Sequence, residues 1–241
     1  MLLEIGQIEA IFRYPVKSMA GQRLDAATLG WHGLEGDRRL ALRRLDDNGG
    51  MPWLTASKFP DLIRFIPQPQ NGATGNLPTH VRTPDGEDLP AFGDALATDI
   101  ARRYGAPVQM MHLRHGIFDE TPISIIATDT VSEIARLAAR TLDVRQFRPN
   151  IVVRLARPAP FQEDQWLGGM LCFGPAEDAP ALTVTMRDER CAMVNLHPDS
   201  ALPAPEVMKA IVRVNQNHAG IYATVTRPGQ LALGQTIFLS K

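Results

Sequence analysis

The shortness of its apolar runs restricts this chain more than any other feature. Stretches such as "IGQIEAIFRYPV", "NIVVRL" and "ALTVTM" keep a strand's alternation or continuity briefly, and proline, glycine or an Asp/Asn cluster then ends them. With 19 glycines and 19 prolines in 241 residues, such stops recur along the whole chain. "RLDAATLG" and "DRRLALRRL" read as further strands, the second alternating Leu40 and Leu42 against arginines, the pattern of a solvent face. "DDNGG" is a turn, "LIRFIPQPQNG" a strand running into a Pro/Gly/Asn loop, and "THVRTPDGEDL" a hairpin turning at Asp85-Gly86. Helical spacing is rarer. It appears in "DALATDIARRYG", which Gly105 would end, and after the apolar strand of "ISIIATDTVSEIARLAART", where Thr130-x-x-Glu133 has the form of a capping box. "APEVMKAIVRVNQN" is a third helix with Pro205 in its first turn, and "GIYATVTRPGQLALGQTIFL" reads as a hairpin turning at Pro228-Gly229. Many short strands and few helices predict a mainly β, α+β chain built from barrel or sandwich pieces, not a doubly wound sheet.

Length allows one large domain or two small ones, each with a hydrophobic core. The irregular stretch "LRHGIFDETP" over residues 113–122 suggests a division into residues 1–115 and 116–241. The formal net charge of -1 gives no global field to attract nucleic acid or an anionic membrane, so neither is expected as a partner. Two cysteines, Cys172 and Cys191, cannot build a disulfide framework, a four-cysteine zinc site or an iron–sulfur cluster. Glu4 and Glu9 interrupt the N-terminus where a signal peptide has an unbroken apolar run, and no apolar run approaches membrane length. A cytoplasmic protein is expected. There is no G-x-G-x-x-G after a strand, no Walker loop and no G-x-S-x-G.

Three places carry chemistry. In "MRDERCAMVNLHPDS", Cys191 follows Arg187 and Arg190; it is either a packed structural thiol or, with positive charge nearby, a thiolate able to bind a soft metal. His197 is close in sequence, but no cysteine-hydrolase context surrounds Cys191, and His112-x-x-His115 stands isolated from any further metal ligand. In "YPVKS", Pro15 fixes the backbone while Lys17 and Ser18 offer an ammonium and a hydroxyl; the pair is an anion-binding device or a solvated lysine beside a turn. "GDRRLALRR" adds Arg38 after a glycine turn. In "RQFRPNIVV", Arg148 and Asn150 flank Pro149, and their forked donors suit a phosphate or a planar heteroaromatic, or are simply an exposed loop pair.

The ordered set "YPVKS", "GDR", "LTASKFPDL", "FRPNIVV", "EDQW", "RC" with "HPDS", and "GIY…RPG…LG" resembles the MOSC-domain family with its N-terminal β-barrel domain, and within it the mitochondrial amidoxime-reducing components and their bacterial homologues. The resemblance runs from Tyr14 to about Gly234. It implies an N-terminal β-barrel domain packed on a MOSC β-barrel domain with a few helices. It also implies a molybdenum cofactor, with Cys191 as the catalytic and metal-holding thiolate. Lys17, Ser18 and Arg38 would contact its phosphate and pterin from one half, and Arg148, Asn150 and Arg190 from the other. Thr128, at a helix start, would add a donor. The implied activity is reduction of small N-hydroxylated substrates (amidoximes, hydroxylamines, N-hydroxylated bases). Their oxygen would pass to reduced molybdenum, with electrons from a separate ferredoxin-, flavin- or cytochrome-type protein. A family-level association with pyridoxal phosphate comes with it.

Departures from the family pattern concern the substrate side. Glu189 stands before Arg-Cys where relatives carry a small polar residue, His197 replaces an aspartate, Ala201 replaces a glycine, and Met19 follows the lysine-serine pair in place of a cysteine. A carboxylate at Glu189 would oppose thiolate formation. Two rival functions remain open: a cofactor or persulfide carrier using Cys191 without turnover, and a scaffold that has lost its cofactor. Cys172 reads as a core residue.

Overall fold

The computed structural model describes residues 2–47, 49–69 and 75–240. Asn48 of the "DDNGG" turn and residues 70–74 of the Pro/Gly/Asn loop lie outside them. At the centre is a closed barrel of seven strands. Around the barrel, Leu3–Arg13 pairs with Ile151–Leu155, and that strand with Ile123–Ala127. His218–Arg227, Ala181–Glu189, Met170–Cys172 and Thr236–Ser240 follow, and the last returns to Leu3–Arg13. The opening strand of the N-terminal half therefore closes a barrel whose other strands come from the C-terminal half. Only Ile123–Ala127 and Ile151–Leu155 run parallel, which requires a crossover; helix α2, below, supplies it.

Strand periodicity sets the core. Ile123, Ile125, Ala127, Ile151, Val153, Ile221 and Ala223 point into the barrel. The intervening Ile126 and Val152 face outward into a second cluster with Val131, Ile134, Val207 and Ile211 of two helices. Both faces are thus covered, which is why Ile123–Ala127 reads as a continuous apolar run. The helices are α1 (Asp94–Tyr104), α2 (Thr128–Ala138) and α3 (Pro205–Asn215). As expected, Gly105 ends α1 in the left-handed conformation, at φ 90°, and Pro205 opens α3. In the N-terminal half, Leu40–Arg44 pairs with Val108–His112, and Ile66–Gln68, His80–Arg82 and Asp88–Pro90 form a three-stranded sheet. With α1 they enclose a third core around Val16, Met19, Leu42, Phe65 and Ile100. The architecture is mainly β with a few helices. Among the described residues, no helix is long and apolar enough to cross a membrane.

Three local expectations need correction. The Pro228-Gly229 turn does not make a hairpin: Gly229–Ala232 leaves to pair with Ala26–Gly30, and two strands separate His218–Arg227 from Thr236–Ser240 in the barrel. The expected capping box on α2 is absent, because the helix begins two residues before Thr130, with Ala127 at the cap position. That buried threonine instead donates its hydroxyl to Glu163, and Glu133 pairs with Arg136. A genuine capping box forms at Asp143, whose carboxylate caps the turn Val144–Phe147 while Gln146 bonds back to Asp143. Finally, Leu40–Arg44 is not a solvent face, since Arg44 is buried and donates to Met51 O at 2.8 Å.

Candidate functional site

"YPVKS" is where the opening strand leaves the barrel and crosses to the N-terminal core. Val16 bridges to Leu40, Lys17 N donates to Leu40 O at 2.8 Å, and the backbone then reverses through Ser18 at φ 65°. Lys17 and Ser18 are both buried. The Lys17 ammonium lies 2.6 Å from Asp119 Oδ1, a carboxylate on the connecting segment that is itself 65 % exposed. Gly36-Asp37-Arg38 comes back alongside. Buried Asp37 accepts from Tyr14 N at 2.6 Å and pairs with Arg38 Nη1 at 2.5 Å, so a single carboxylate fixes both the tyrosine backbone and the arginine fork.

The segment before Ile151–Leu155 meets this turn from the other half. Arg148, at φ 50°, donates to Met19 O at 2.7 Å, and its guanidinium lies 4.1 Å from the Tyr14 ring centre; Arg38 lies 5.0 Å from the same ring. Asn150 is fully buried. Its carboxamide accepts from Ser124 N and Arg38 Nη1 and donates to Phe12 O, tying three segments together and positioning Arg38. Among the described residues, eight non-glycine residues have positive φ, and Ser18, Arg38 and Arg148 are three of them. Strain of this kind persists only where surrounding structure enforces it and gathers at ligand sites.

Cys191 starts the short turn Ala192–Asn195 after Ala181–Glu189 and is exposed. It lines a cavity of about 240 Å³ together with Arg38, Arg148, Asp119, Asp188 and Tyr222. The structure therefore brings Cys191, Arg38 and Arg148 to one place, with Lys17 joined to it through Asp119. The arginines beside the cysteine in sequence do other work. Arg187 turns away to Asp164 and Asn215. Arg190, which also borders the cavity, is buried and spends its donors on Ala219 O, Phe147 O and Asp188, so it braces the wall. Gly220 lies beside it at φ +85°, where a Cβ would meet Ile125 O at 2.5 Å and Arg190 Nη2 at 3.3 Å. Thr128 does not line the cavity; it starts α2 four residues beyond Ser124 and its hydroxyl bonds Val153 O. Glu189 does line it, accepting weakly from Asn217 at 3.3 Å. His197 accepts from Asp199 N, and Ala201 adopts φ 57°, the conformation a glycine takes more easily.

Sequence reading missed Tyr14, Asp37, Asp119 and Asp188. Tyr14, Asp37 and Asp188 sit inside the quoted motifs, and each adjoins a residue singled out there; Asp119, in the irregular stretch over residues 113–122, carried no chemical signal.

The cavity lining carries three arginines (Arg38, Arg148, Arg190) and three carboxylates (Asp119, Asp188, Glu189), and Arg148 is the cation left for an anion. Burial, reinforced by the nearby charge of Arg38 and outweighing the pull of Tyr14, lowers Arg148 to about 10. No acidic side chain pairs with Arg148 directly among the described residues, and its Nη2 is a buried donor without a partner. Burial also works against the charge of Arg38, but Asp37 more than restores it. On the opposite wall, burial raises Asp188 against the pull of Arg190 and raises Tyr222 as well, so the tyrosine keeps its proton. An exposed sulfur beside a guanidinium, that of Arg148, with no directly paired carboxylate among the described residues fits a metal-bearing anionic ligand such as the molybdenum cofactor. The protein would give it one soft thiolate donor, since no three His, Cys, Asp or Glu residues converge among the described residues.

Two family models cover the chain: the MOSC N-terminal beta barrel domain over residues 5–116 and the MOSC domain over residues 111–238. No curated protein matches. Among solved structures, the YUAD protein from Bacillus subtilis is 15 % identical with a TM-score of 0.54, covering 99 % of this chain and 98 % of that one. At that identity the likeness shows the fold. A hypothetical protein matches at 14 % identity and TM-score 0.48, covering 100 % of this chain and 70 % of its own. YiiM from Geobacillus stearothermophilus matches at 17 % identity and TM-score 0.39, covering 50 % and 54 %.

Proposed function

The chain belongs to the MOSC-domain family, with a MOSC N-terminal β-barrel domain preceding the MOSC domain, and from that premise we propose a molybdenum-cofactor-dependent oxidoreductase that reduces N-hydroxylated compounds. The observation that supports it most is one cavity holding an exposed cysteine sulfur with two αL arginines, one from each half of the chain. When bound, the cofactor supplies two-electron chemistry able to take oxygen from an N–O bond. Cys191 offers the chain's thiolate to the metal. Arg148 and Arg38 hold the anionic part of the cofactor, and Lys17, released from Asp119, adds an ammonium. Asn150 and Asp37 keep the Arg38 fork in place. Tyr222, held neutral by burial, can donate a hydrogen bond to a ligand oxygen in the same cavity. Electrons come from a separate redox protein, and a cytoplasmic setting goes with this reading.

Pyridoxal phosphate fits less well: its aldehyde needs an amine in the site, and among the described residues no lysine lines the cavity that holds Cys191. A persulfide or cofactor carrier is the second reading, favoured by the exposure of Cys191. The deciding experiment expresses the protein in a host that makes molybdopterin and follows reduction of an amidoxime by a chemical reductant. Turnover that disappears in Cys191→Ala supports the reductase. Persulfide on Cys191 with no molybdenum supports the carrier, and equal activity in both proteins overturns the reading.

A further inference from the structure

A second cavity of about 260 Å³ lies behind the first, and Gln146, Arg148 and Met193 form the wall between them. Ile63, Leu196 and Pro198 give it an apolar lining, and Tyr14 closes one side. Gly21 admits the tyrosine ring, because a Cβ there would come within 2.4 Å of it. Tyr14 is 1 % exposed, yet its hydroxyl has no hydrogen-bond partner among the described residues, and neither has Arg148 Nη2. Buried donors left unpaired are costly, so two of them on residues that line one small cavity point to an acceptor that the chain does not provide. Burial pushes Tyr14 up to about 12, which keeps its proton available for donation. On the lining, Arg145 is paired with Asp143 and Asp199 and Arg64 with Asp61, which leaves Arg148 as the charge without an acidic partner among the described residues and disfavours a cationic ligand. An engineered cavity of about 150 Å³ accepts benzene in another protein, so this one has room for a ring and a polar head.

We propose that this second chamber binds a single-ring aryl carboxamide or carboxylate whose oxygen accepts from Tyr14 and Arg148, and that it thereby seats the body of the substrate whose reacting end crosses Met193 toward Cys191. The substrate assignment rests on the reductase reading of Cys191; the ligand chemistry of the chamber stands on its own lining.

The test is a calorimetric titration with benzamide, benzoate and benzylamine, on protein made without molybdenum cofactor and again on loaded protein. Benzamide and benzoate bind saturably to both preparations, and benzylamine at least about tenfold more weakly. Ile66→Trp, at a lining position 46 % exposed and so tolerant of a larger side chain, abolishes binding by filling the chamber. Tyr14→Phe weakens it about fivefold without lowering the thermal midpoint, since it removes a hydroxyl with no partner in the free protein. No saturable binding, equal binding of benzylamine, or indifference to Ile66→Trp overturns the proposal. So does binding that vanishes on cofactor loading, which would give the chamber to the cofactor. Failure of the reductase reading shows elsewhere, as molybdenum retained by Cys191→Ala while the titrations stand.

Discussion

Asp119 occupies the place where an incoming phosphate needs Lys17, so Asp119→Asn should tighten anion binding. The two side chains meet at 2.6 Å, with Lys17 only 5 % exposed and Asp119 65 % exposed. At an effective dielectric of 20, a unit pair 4 Å apart interacts by about 4 kcal/mol. Exposure of the carboxylate brings the net pairing down to about 1 kcal/mol or less. The substitution also removes a negative charge that would face the phosphate, an effect of similar size. Together they amount to about 1–2 kcal/mol, or roughly 5- to 30-fold tighter binding of inorganic pyrophosphate. Desolvation acts to raise the pKa of Asp119, but Lys17, with Arg38 and Arg148, outweighs it, so the carboxylate stays charged through neutral pH. The advantage of the variant therefore holds from neutral into mildly acidic solution and fades only below the lowered titration point of Asp119. Isothermal titration of both proteins at pH 7.5 and pH 5 measures it, with Lys17→Met as the variant that loses binding. Unchanged or weaker binding by Asp119→Asn would refute the competition and leave Asp119 as a support for Lys17.

Arg190→Met strands Asp188 in the barrel wall and should destabilise the protein by about 3–5 kcal/mol in urea, and Arg190→Met with Asp188→Leu should recover part of that loss. Glu163 is buried, and burial raises its pKa despite bonds from Ala127 N and Thr130. Ionising it therefore opposes folding: stability falls as pH climbs from the ordinary glutamate value through the raised one. Glu163→Gln should flatten that part of a denaturation-versus-pH curve. Gly21→Ala drives a methyl group into the Tyr14 ring, costing about 1–3 kcal/mol and weakening pyrophosphate binding by displacing the surface on which Arg38 and Arg148 stack.

Much of the fold is legible in local pattern. The stops at Gly105 and Pro205, the Asp85-Gly86 turn and the valine- and isoleucine-rich runs all act within a few residues, and the structure follows them. Barrel closure is not local. Leu3 pairs with Leu239 and Gly6 with Leu155, and no short pattern announces partners at that separation. For the same reason Pro228-Gly229 imitates a hairpin: its turn chemistry is real, but the strand that follows finds a better edge at Ala26–Gly30. In the site, the motif residues Cys191, Arg38 and Arg148 converge, and the left-handed backbones of Arg38 and Arg148 explain why short irregular segments carry those two. Buried charge was the blind spot. Arg190, Asp188 and Glu163 look like surface residues in one dimension and are braces in three. Thr128 shows the converse, a favourable helix start that is not on the cavity lining and whose hydroxyl bonds Val153 O.

The most direct measurement is X-ray absorption at the molybdenum edge of protein expressed with its cofactor, comparing wild type with Cys191→Ser. One sulfur neighbour beyond the dithiolene pair in the wild type, replaced by oxygen in the variant, is the predicted result. An identical sulfur shell in the two proteins, or no molybdenum in a host that loads other molybdoenzymes, would contradict it.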